Sequence, residues 1–491
     1  MTMVVCGLYT IRSCLACRRE SRHPKAPFSA LSRHRRFRLY RDQIIESFKG
    51  HDAEYIEIRL EDSQSTRIQY RGRELEDISQ PISAGGCVRA LVKGGWGFVS
   101  FNDLDDLRGK VELAVRQARL VGKDASSFAS MTPAVDFVEE VTQKDPSSLA
   151  LAEKKHLLDE YNEVIWRVPK IETSIIAYRD KLRKVVFANS EGSYIEQKNS
   201  DLALRVAAVA RDGGDVQQVG LSVGSRGDFT GVESLHEQVR ETAQRAVDLL
   251  SAPHAKSGEY CVVLDPVLAG VFTHEAFGHL SEADFTYENE RLKEIMVLGR
   301  RFGGEHLNIV DGAAVPNLRG SYRYDDEGAP ATRTYLIKEG VLVGRLHSRE
   351  TAAKMGEPIT GNARALDYHH PPIVRMTNTF IEPQGITFEE MISDIEEGIY
   401  AKNWYGGTTS MEMFTFSAGE AYMIRHGRLA ELLRPVVLTG NIFTTLQNID
   451  AIGNDLDMNQ GGGCGKGGQS PLPVSNGSPH IRIQHCLVGG K

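Results

Sequence analysis

The chain has 491 residues, 41% of them hydrophobic and 25% charged, with a formal net charge of −7. That length supports two or three domains with substantial cores, and the composition is that of an ordinary globular protein. It lacks the electrostatic footprint of a nucleic-acid binder, any apolar run near the roughly 20 residues of a membrane span, and, with seven irregularly spaced cysteines, a disulfide framework. The expectation is a cytoplasmic protein that engages neither nucleic acid nor membrane.

Residues 1–38 carry nine Lys/Arg against a single acid, Glu20, and show no hydrophobic period. The segment reads as a basic, disordered N-terminal extension, although the same Arg-rich, acid-poor composition also suits an organelle-targeting peptide. Cys6, Cys14 and Cys17 lack the second cysteine pair of a metal knuckle.

From residue 39 the texture is that of a packed domain. LYRDQIIESFKG has helical spacing and a closing Gly50. AEYIEIRLED and STRIQYRGRELEDIS alternate apolar and polar residues, as half-buried strands do. GGCVRALVKGGWGFVSFND reads as a hairpin, with helices after it in DLDDLRGKVELAVRQARLVG and LALAEKKHLLDEYNEVIWRV. A meander of strands fills residues 171–213, and SLHEQVRETAQRAVDLLSA ends this half as an amphipathic helix. Pro, Gly and small polar residues near 252–260 mark a boundary. Beyond it YCVVLDPVLAGVF is a strand running into a helix, EEMISDIEEGIYA reads as another helix, and the remainder is short strands with Gly turns. The fold class is α+β, in two domains: 39–253, α+β with antiparallel strands, and 254–491, strand-rich and barrel-like, carrying the helix that contains residues 274–279.

That helix contains VFTHEAFGHLSEADF, with His274, Glu275 and His279 in the order His-Glu-x-x-x-His. Zinc proteases place two histidines four residues apart on one helix face, with Glu as the base. Five residues at about 100° each leave the two rings roughly 140° apart, so a regular helix could not grip one ion. A π-bulge adds a residue to the turn and brings the pair back to one side, and Gly278 is where a helix departs most cheaply from regular geometry. Glu282 and Asp284 are acceptors that could orient a ligating imidazole, or else solvated helix acids.

A catalytic zinc takes three protein ligands and keeps an open position. Cys464, in NQGGGCGKGGQSPLPV, is the best third donor: flanking glycines remove every obstructing Cβ, and Lys466 would stabilise its thiolate. His369 and His370 are rival donors, of which a strand would present only one. Cys261 and Cys486 lie in apolar segments and read as core residues.

With these segments the chain resembles the TldD/PmbA family of metallopeptidases from about Tyr40 to the C-terminus. The resemblance rests on HEAFGHLSEAD and GGGCGKGGQSPLPVSNGSP. It implies a zinc site of His274, His279 and Cys464 with Glu275 as catalytic acid/base, and unfolded or extended peptides as substrate. It also implies a homodimer, or a heterodimer with a related subunit lacking the metal motif, this chain being the TldD-type, metal-bearing subunit. Residues 1–38 have no counterpart in the family pattern. Two other readings of the residues remain open: a non-catalytic binding subunit whose zinc is structural, with His369, His370 or a carboxylate as fourth donor, and a zinc amidase acting on small molecules.

Overall fold

Apolar residues at every second position of AEYIEIRLED and the meander commit these segments to a sheet. The computed structural model describes residues 41–122, 128–140 and 142–489; the basic extension lies outside them. Residues 41–47 are helical, as their spacing predicts. The sheet holds β1 (Tyr55–Arg71), β2 (Glu74–Ser79), β3 (Ile82–Val92), β4 (Gly95–Phe101), β5 (Val135–Val138), β6 (Ile171–Asn189), β7 (Tyr194–Asp212) and β8 (Asp215–Ser225). Its order is β4-β3-β1-β6-β7-β5, with β2 on β1 and β8 on β7, and only β5 runs parallel to its neighbour.

The helices Leu151–Trp166 and His236–Ser251 cover one face of this sheet, sharing a core with Ile176, Tyr178, Leu204 and Val206. The opposite face departs from the expectation of half-buried strands, because β1 is buried on both sides over Tyr55–Glu61. Between Ile56, Ile58 and Leu60 stand Glu57, Arg59 and Glu61, which turn their charges toward the C-terminal half. Arg89 Nη1 lies 3.0 Å from both Glu57 and Glu327. Arg183 bonds Asp326 at 3.1 Å, and Arg59 donates to the carbonyls of Asp367 at 2.7 Å and His370 at 3.0 Å. Alternation was read correctly, but its polar face meets protein instead of water.

Beyond residue 257 the chain is strand-rich. β9 (Gly258–Leu264) pairs in parallel with Glu397–Ser410 and antiparallel with Ile481–Gly489. The ring closes through Val437–Asn441 and Met413–Arg425, which pairs back onto Glu397–Ser410, giving a closed barrel. A second sheet runs from Val341–Leu342 through Thr334–Lys338, Ile309–Asp311, Asn378–Ile381 and Ser475–Ser478 to Asp457–Asn459. Its pin is the buried Asp311, whose carboxylate accepts from Thr377 N, Thr377 Oγ1, Thr379 Oγ1 and Asn362 Nδ2 at 2.7–3.1 Å.

The architecture is therefore α+β with a barrel in the C-terminal half. EEMISDIEEGIYA, read as one helix, is two elements: a short helix at Phe388–Ile392, boxed at its start by Thr387 and Glu390, and a strand from Glu397. The parallel ladder of Gly398–Ala401 on β9 takes Ile399 and Ala401 into the barrel core, and that burial overrides the helical pattern. Among the described residues no helix is long and apolar enough to cross a membrane.

The β3–β4 hairpin turns at Lys93 and Gly94, both with positive φ, and lies against the helix Leu107–Val121. A Cβ at Gly97 would stand 1.9 Å from Ala114 O and 2.8 Å from Ala114 C, so the helix would have to move. Gly97→Ala is expected to lower unfolding stability by about 1–3 kcal/mol. Gly385→Ala, where nothing lies within 4 Å, is expected to change little. Denaturant unfolding of both variants checks the pair, and equal effects would refute the close approach.

Candidate metal centre

The motif helix begins where β9 ends. Asp265 caps it through Oδ1, which accepts from Leu268 N at 2.8 Å and Asn403 N at 3.1 Å, and Pro266 occupies the first turn. Leu268, Phe272 and Phe277 bury the helix against barrel residues such as Phe414 and Phe416. Gly270 passes so close to the strand Ser475–Ser478 that a Cβ there would lie 2.9 Å from Gly477 N. The helix is regular over Pro266–Thr273 and widens into a π turn over His274–Gly278, where His279 N–H reaches back to His274 O. Thr273 Oγ1 and Ser281 Oγ bond the carbonyls of Ala269 and Phe277 on either side of the widened turn.

The spacing argument for a π-bulge thus describes the backbone, but the reason given for Gly278 does not. Its φ of −57° is ordinary for any residue. What excludes a side chain is Met376, whose Sδ would stand 2.1 Å from a Cβ at this position.

The widened turn brings the two rings to 5.3 Å between centroids, and the strand Gly463–Lys466 delivers Cys464 beside them. One donor atom from each of His274, His279 and Cys464 lies within 4.8 Å of the others. Cys464 Sγ is 3.5 Å from His279 Nε2, and a Glu275 carboxylate oxygen is 3.9 Å from that same nitrogen. His274 and Cys464 are each 3% exposed. The Glu275 side chain, at 35%, opens to solvent.

His279 is oriented from behind by Glu282, fully buried, whose Oε2 is 3.0 Å from His279 Nδ1. The same oxygen is 3.1 Å from Lys466 Nζ, and Met376 N donates to Oε1 at 3.3 Å. Burial would raise this carboxyl, but the partners His279 and Lys466 outweigh it and hold it below its ordinary value. Lys466 also bonds Asp284 at 2.7 and 2.8 Å and Val374 O at 2.9 Å, so it serves the acids that follow the motif helix instead of the thiolate. Asp284 thereby pairs with Lys466 and not with a histidine. Burial alone would raise the Cys464 thiol, yet the imidazoles of His274 and His279 push it down to about 4. Burial would lower His279, but Cys464 and Glu282 lift it to about 10. Without a cation, then, thiolate and imidazolium neutralise each other.

The donor set fits a metal ion. Two imidazoles and a readily ionised thiol converge, and His274 Nδ1 is buried without a hydrogen-bond partner. His369 and His370 are not in the cluster. They lie in a turn, not a strand, where His370 Nδ1 bonds Asp367 at 2.8 Å and His369 stacks on Tyr368.

The glycines around Cys464 answer to protein backbone. A Cβ at Gly461 would lie 2.5 Å from Ser222 on β8, and one at Gly463 would lie 2.8 Å from Pro471 Cβ. Three arginines that sequence reasoning missed hold this segment. Arg375, fully buried, donates to Cys464 O at 2.7 Å and Gln469 O at 3.1 Å. Arg364 reaches Met376 O and Pro473 O, both at 2.7 Å. Arg319 binds Gln460 O at 2.7 Å and Gly462 O at 2.5 Å. Isolated arginines in GNARAL, PIVRM and PNLRG carry no local signal, since their acceptors lie about a hundred residues away.

Three family profiles match the chain: PmbA/TldA metallopeptidase domain 1 over residues 56–119, the central domain over 144–250 and the C-terminal domain over 257–490. A metalloprotease of Synechocystis sp. is 52% identical over 440 residues, 89% of this chain and 95% of its own. A zinc metalloprotease TldD homolog of Saccharolobus solfataricus is 30% identical, covering 84% of this chain and 91% of its own. Among solved structures, a Thermotoga maritima chain described as a candidate modulator of a DNA gyrase superposes with a TM-score of 0.77 at 19% identity, over 92% of this chain and all of that one. TldE from Thermococcus kodakarensis gives 0.71 at 17%, with the same coverage. At such identities these two likenesses concern the fold.

Burial raises Asp265 to about 6, against the N–H groups of Leu268 and Asn403 that favour its ionised form. A carboxyl raised in the folded state contributes stability below its unfolded value, and loses it as pH rises through the folded one. Asp265→Asn keeps the Oδ1 that both N–H groups reach. The native protein is therefore expected to lose about 2–3 kcal/mol relative to this variant between pH 3.8 and about 6. Denaturant unfolding across that window checks it, and a constant difference would remove Asp265 as the source.

Proposed function

The chain belongs to the PmbA/TldA family of metallopeptidases, and we propose that it is a zinc peptidase cleaving unfolded or extended peptides at His274, His279 and Cys464, with Glu275 as acid/base. The observation carrying this reading is the convergence of the three donors within 4.8 Å beside a solvent-accessible carboxylate 3.9 Å from His279 Nε2. Two nitrogen donors and one thiolate suit zinc, and three ligands leave a position open. Zinc held there would supply a Lewis acid that makes water more acidic and polarises the scissile carbonyl.

The protein's own groups do the rest. Glu275 takes a proton from the attacking water and delivers it to the leaving amine. Glu282 fixes the orientation of His279 through Nδ1, leaving Nε2 for the metal. Arg375 holds Cys464 by its carbonyl, so the thiolate need not be repositioned when the ion binds. Capture of an extended chain by strand addition suits the strand-rich C-terminal region. The structural-zinc reading needs a fourth donor, and among the described residues the cluster offers three.

Pairing with a related subunit that lacks the metal motif, a cytoplasmic location and a domain division at 253/254 complete the proposal. The fold likeness to TldE agrees with descent from a duplicated scaffold.

Purified protein is expected to hold one zinc per chain, lost or strongly weakened in Cys464→Ala. Glu282→Gln is expected to weaken zinc by about 10–100-fold by freeing His279. Glu275→Gln should keep the metal and lose about 10²–10⁴-fold in kcat on an unstructured peptide. Metal analysis together with peptide hydrolysis checks all three. Zinc unaffected by Cys464→Ala removes the thiolate from the site, and turnover retained by Glu275→Gln removes the base.

A further inference from the structure

Behind the hairpin that carries Cys464 lies a cavity of about 100 Å³. β6 contributes Arg179, Lys181 and Arg183 to its wall, and Arg319, Arg364 and Leu472 face them. Leu472 is the cross-strand partner of Cys464, so the cavity backs onto the strand holding the thiol. Pro471 on the wall is exposed and Arg179 partly so, which opens the cavity to solvent.

The acids in this wall are already committed. Asp201 is taken by Arg319 at 2.6 and 3.1 Å. Asp326 accepts from Arg183 at 3.1 Å and from Ala365 N at 2.8 Å. Asp325 accepts the backbone N–H groups of Glu327, Ala329 and Ala363 at 2.8–3.0 Å. Two cations have no comparable partner. The Arg179 side chain makes no hydrogen bond or ion pair among the described residues; its Nε is buried and unpartnered, and it shares the attraction of Asp201 with Arg319. Lys181 reaches only Glu61, at 3.5 Å, and the other oxygen of that acid lies 2.9 Å from Arg183. Arg364, buried, bonds two carbonyls and no carboxylate.

Excess positive charge in a confined space is costly unless an anion enters. The strain is visible in Lys181, which burial lowers, with Arg183 and Arg179 adding to the effect against Glu61. A guanidinium fork beside an ammonium matches the two oxygens of a carboxylate. We propose that this cavity is a carboxylate-binding subsite that takes the C-terminal end of the peptide substrate, with Arg179 and Lys181 as its ligands. The proposal rests on the peptidase reading above, and its size limits the occupant to a carboxylate with little adjoining backbone.

The test is calorimetric titration of N-acetyl-pentaalanine and its C-terminal amide into zinc-loaded Glu275→Gln protein. Charge-assisted hydrogen bonds predict the free acid to bind about 10–100-fold more tightly than the amide. In the same protein also carrying Arg179→Gln and Lys181→Gln, the preference is expected to vanish with no loss of thermal stability, because neither side chain gives up a strong partner. Equal affinities, no binding by either peptide, or a preference that survives both substitutions would each overturn the proposal. Stabilisation by inorganic phosphate that needs Arg179, with acid and amide binding equally, would assign the cavity to a free anion and overturn the substrate role. Preference without hydrolysis by the native protein would sink only the peptidase reading. Hydrolysis without preference would sink only this inference.

Discussion

The candidate metal centre depends on one fully buried carboxylate. Glu282 stands just past the motif helix, three residues beyond His279, and takes both His279 Nδ1 and Lys466 Nζ on the same oxygen. Lys466 is two residues from Cys464, so this carboxylate ties the segment bearing the histidines to the segment bearing the thiol. An unpaired carboxylate at that depth would cost several kcal/mol, and each partner is what makes the other arrangement tolerable. The tie also settles which imidazole nitrogen faces the cluster. The hydrogen bond occupies Nδ1 and leaves Nε2 toward Cys464 and Glu275.

Around that tie the fold supplies rigidity from backbone acceptors. Arg375, Arg364 and Arg319 spend their guanidinium donors mainly on carbonyls of the 460–473 segment. Such bonds fix a main-chain path without neutralising charge, so the Cys464 region carries more cation than its ion pairs consume. The charged face of the N-terminal sheet works differently. There Arg89 stands between Glu57 and Glu327, and Arg183 between Glu61 and Asp326, so each guanidinium meets two carboxylates. Buried pairs of this kind add little net stability, yet removing one member costs about 3–5 kcal/mol, so they penalise any shift of the sheet relative to the loop at 325–327. β8 joins the same framework where Ser222 meets Gly461.

Much of the molecule was legible in the chain itself. Period-two alternation located the long strands, and the extra residue between His274 and His279 called for a π turn if the two rings were to hold one ion. The reading failed where the deciding contact was distant. EEMISDIEEGIYA has helical spacing, but the ladder on β9 claims its second half. Gly278 was read for its backbone freedom and is needed for the room it leaves Met376. The glycines before Cys464 were read as clearing a path for an ion and clear one for β8 and Pro471.

By itself the sequence determined the α+β class and the family and singled out residues 274–279, because periodicity, residue type and short spacing are local properties. It named Cys464 as a donor by residue type, by its flanking residues and by resemblance. That the thiol comes within 3.5 Å of His279, across 185 residues of chain, was decided by tertiary structure. So were the diversion of Lys466 to Glu282 and Asp284, the exclusion of His369 and His370 from the cluster, and the unpartnered Nε of Arg179. Each depends on which partner a side chain meets after the sheets and barrel have closed, and no pattern within a few residues encodes that.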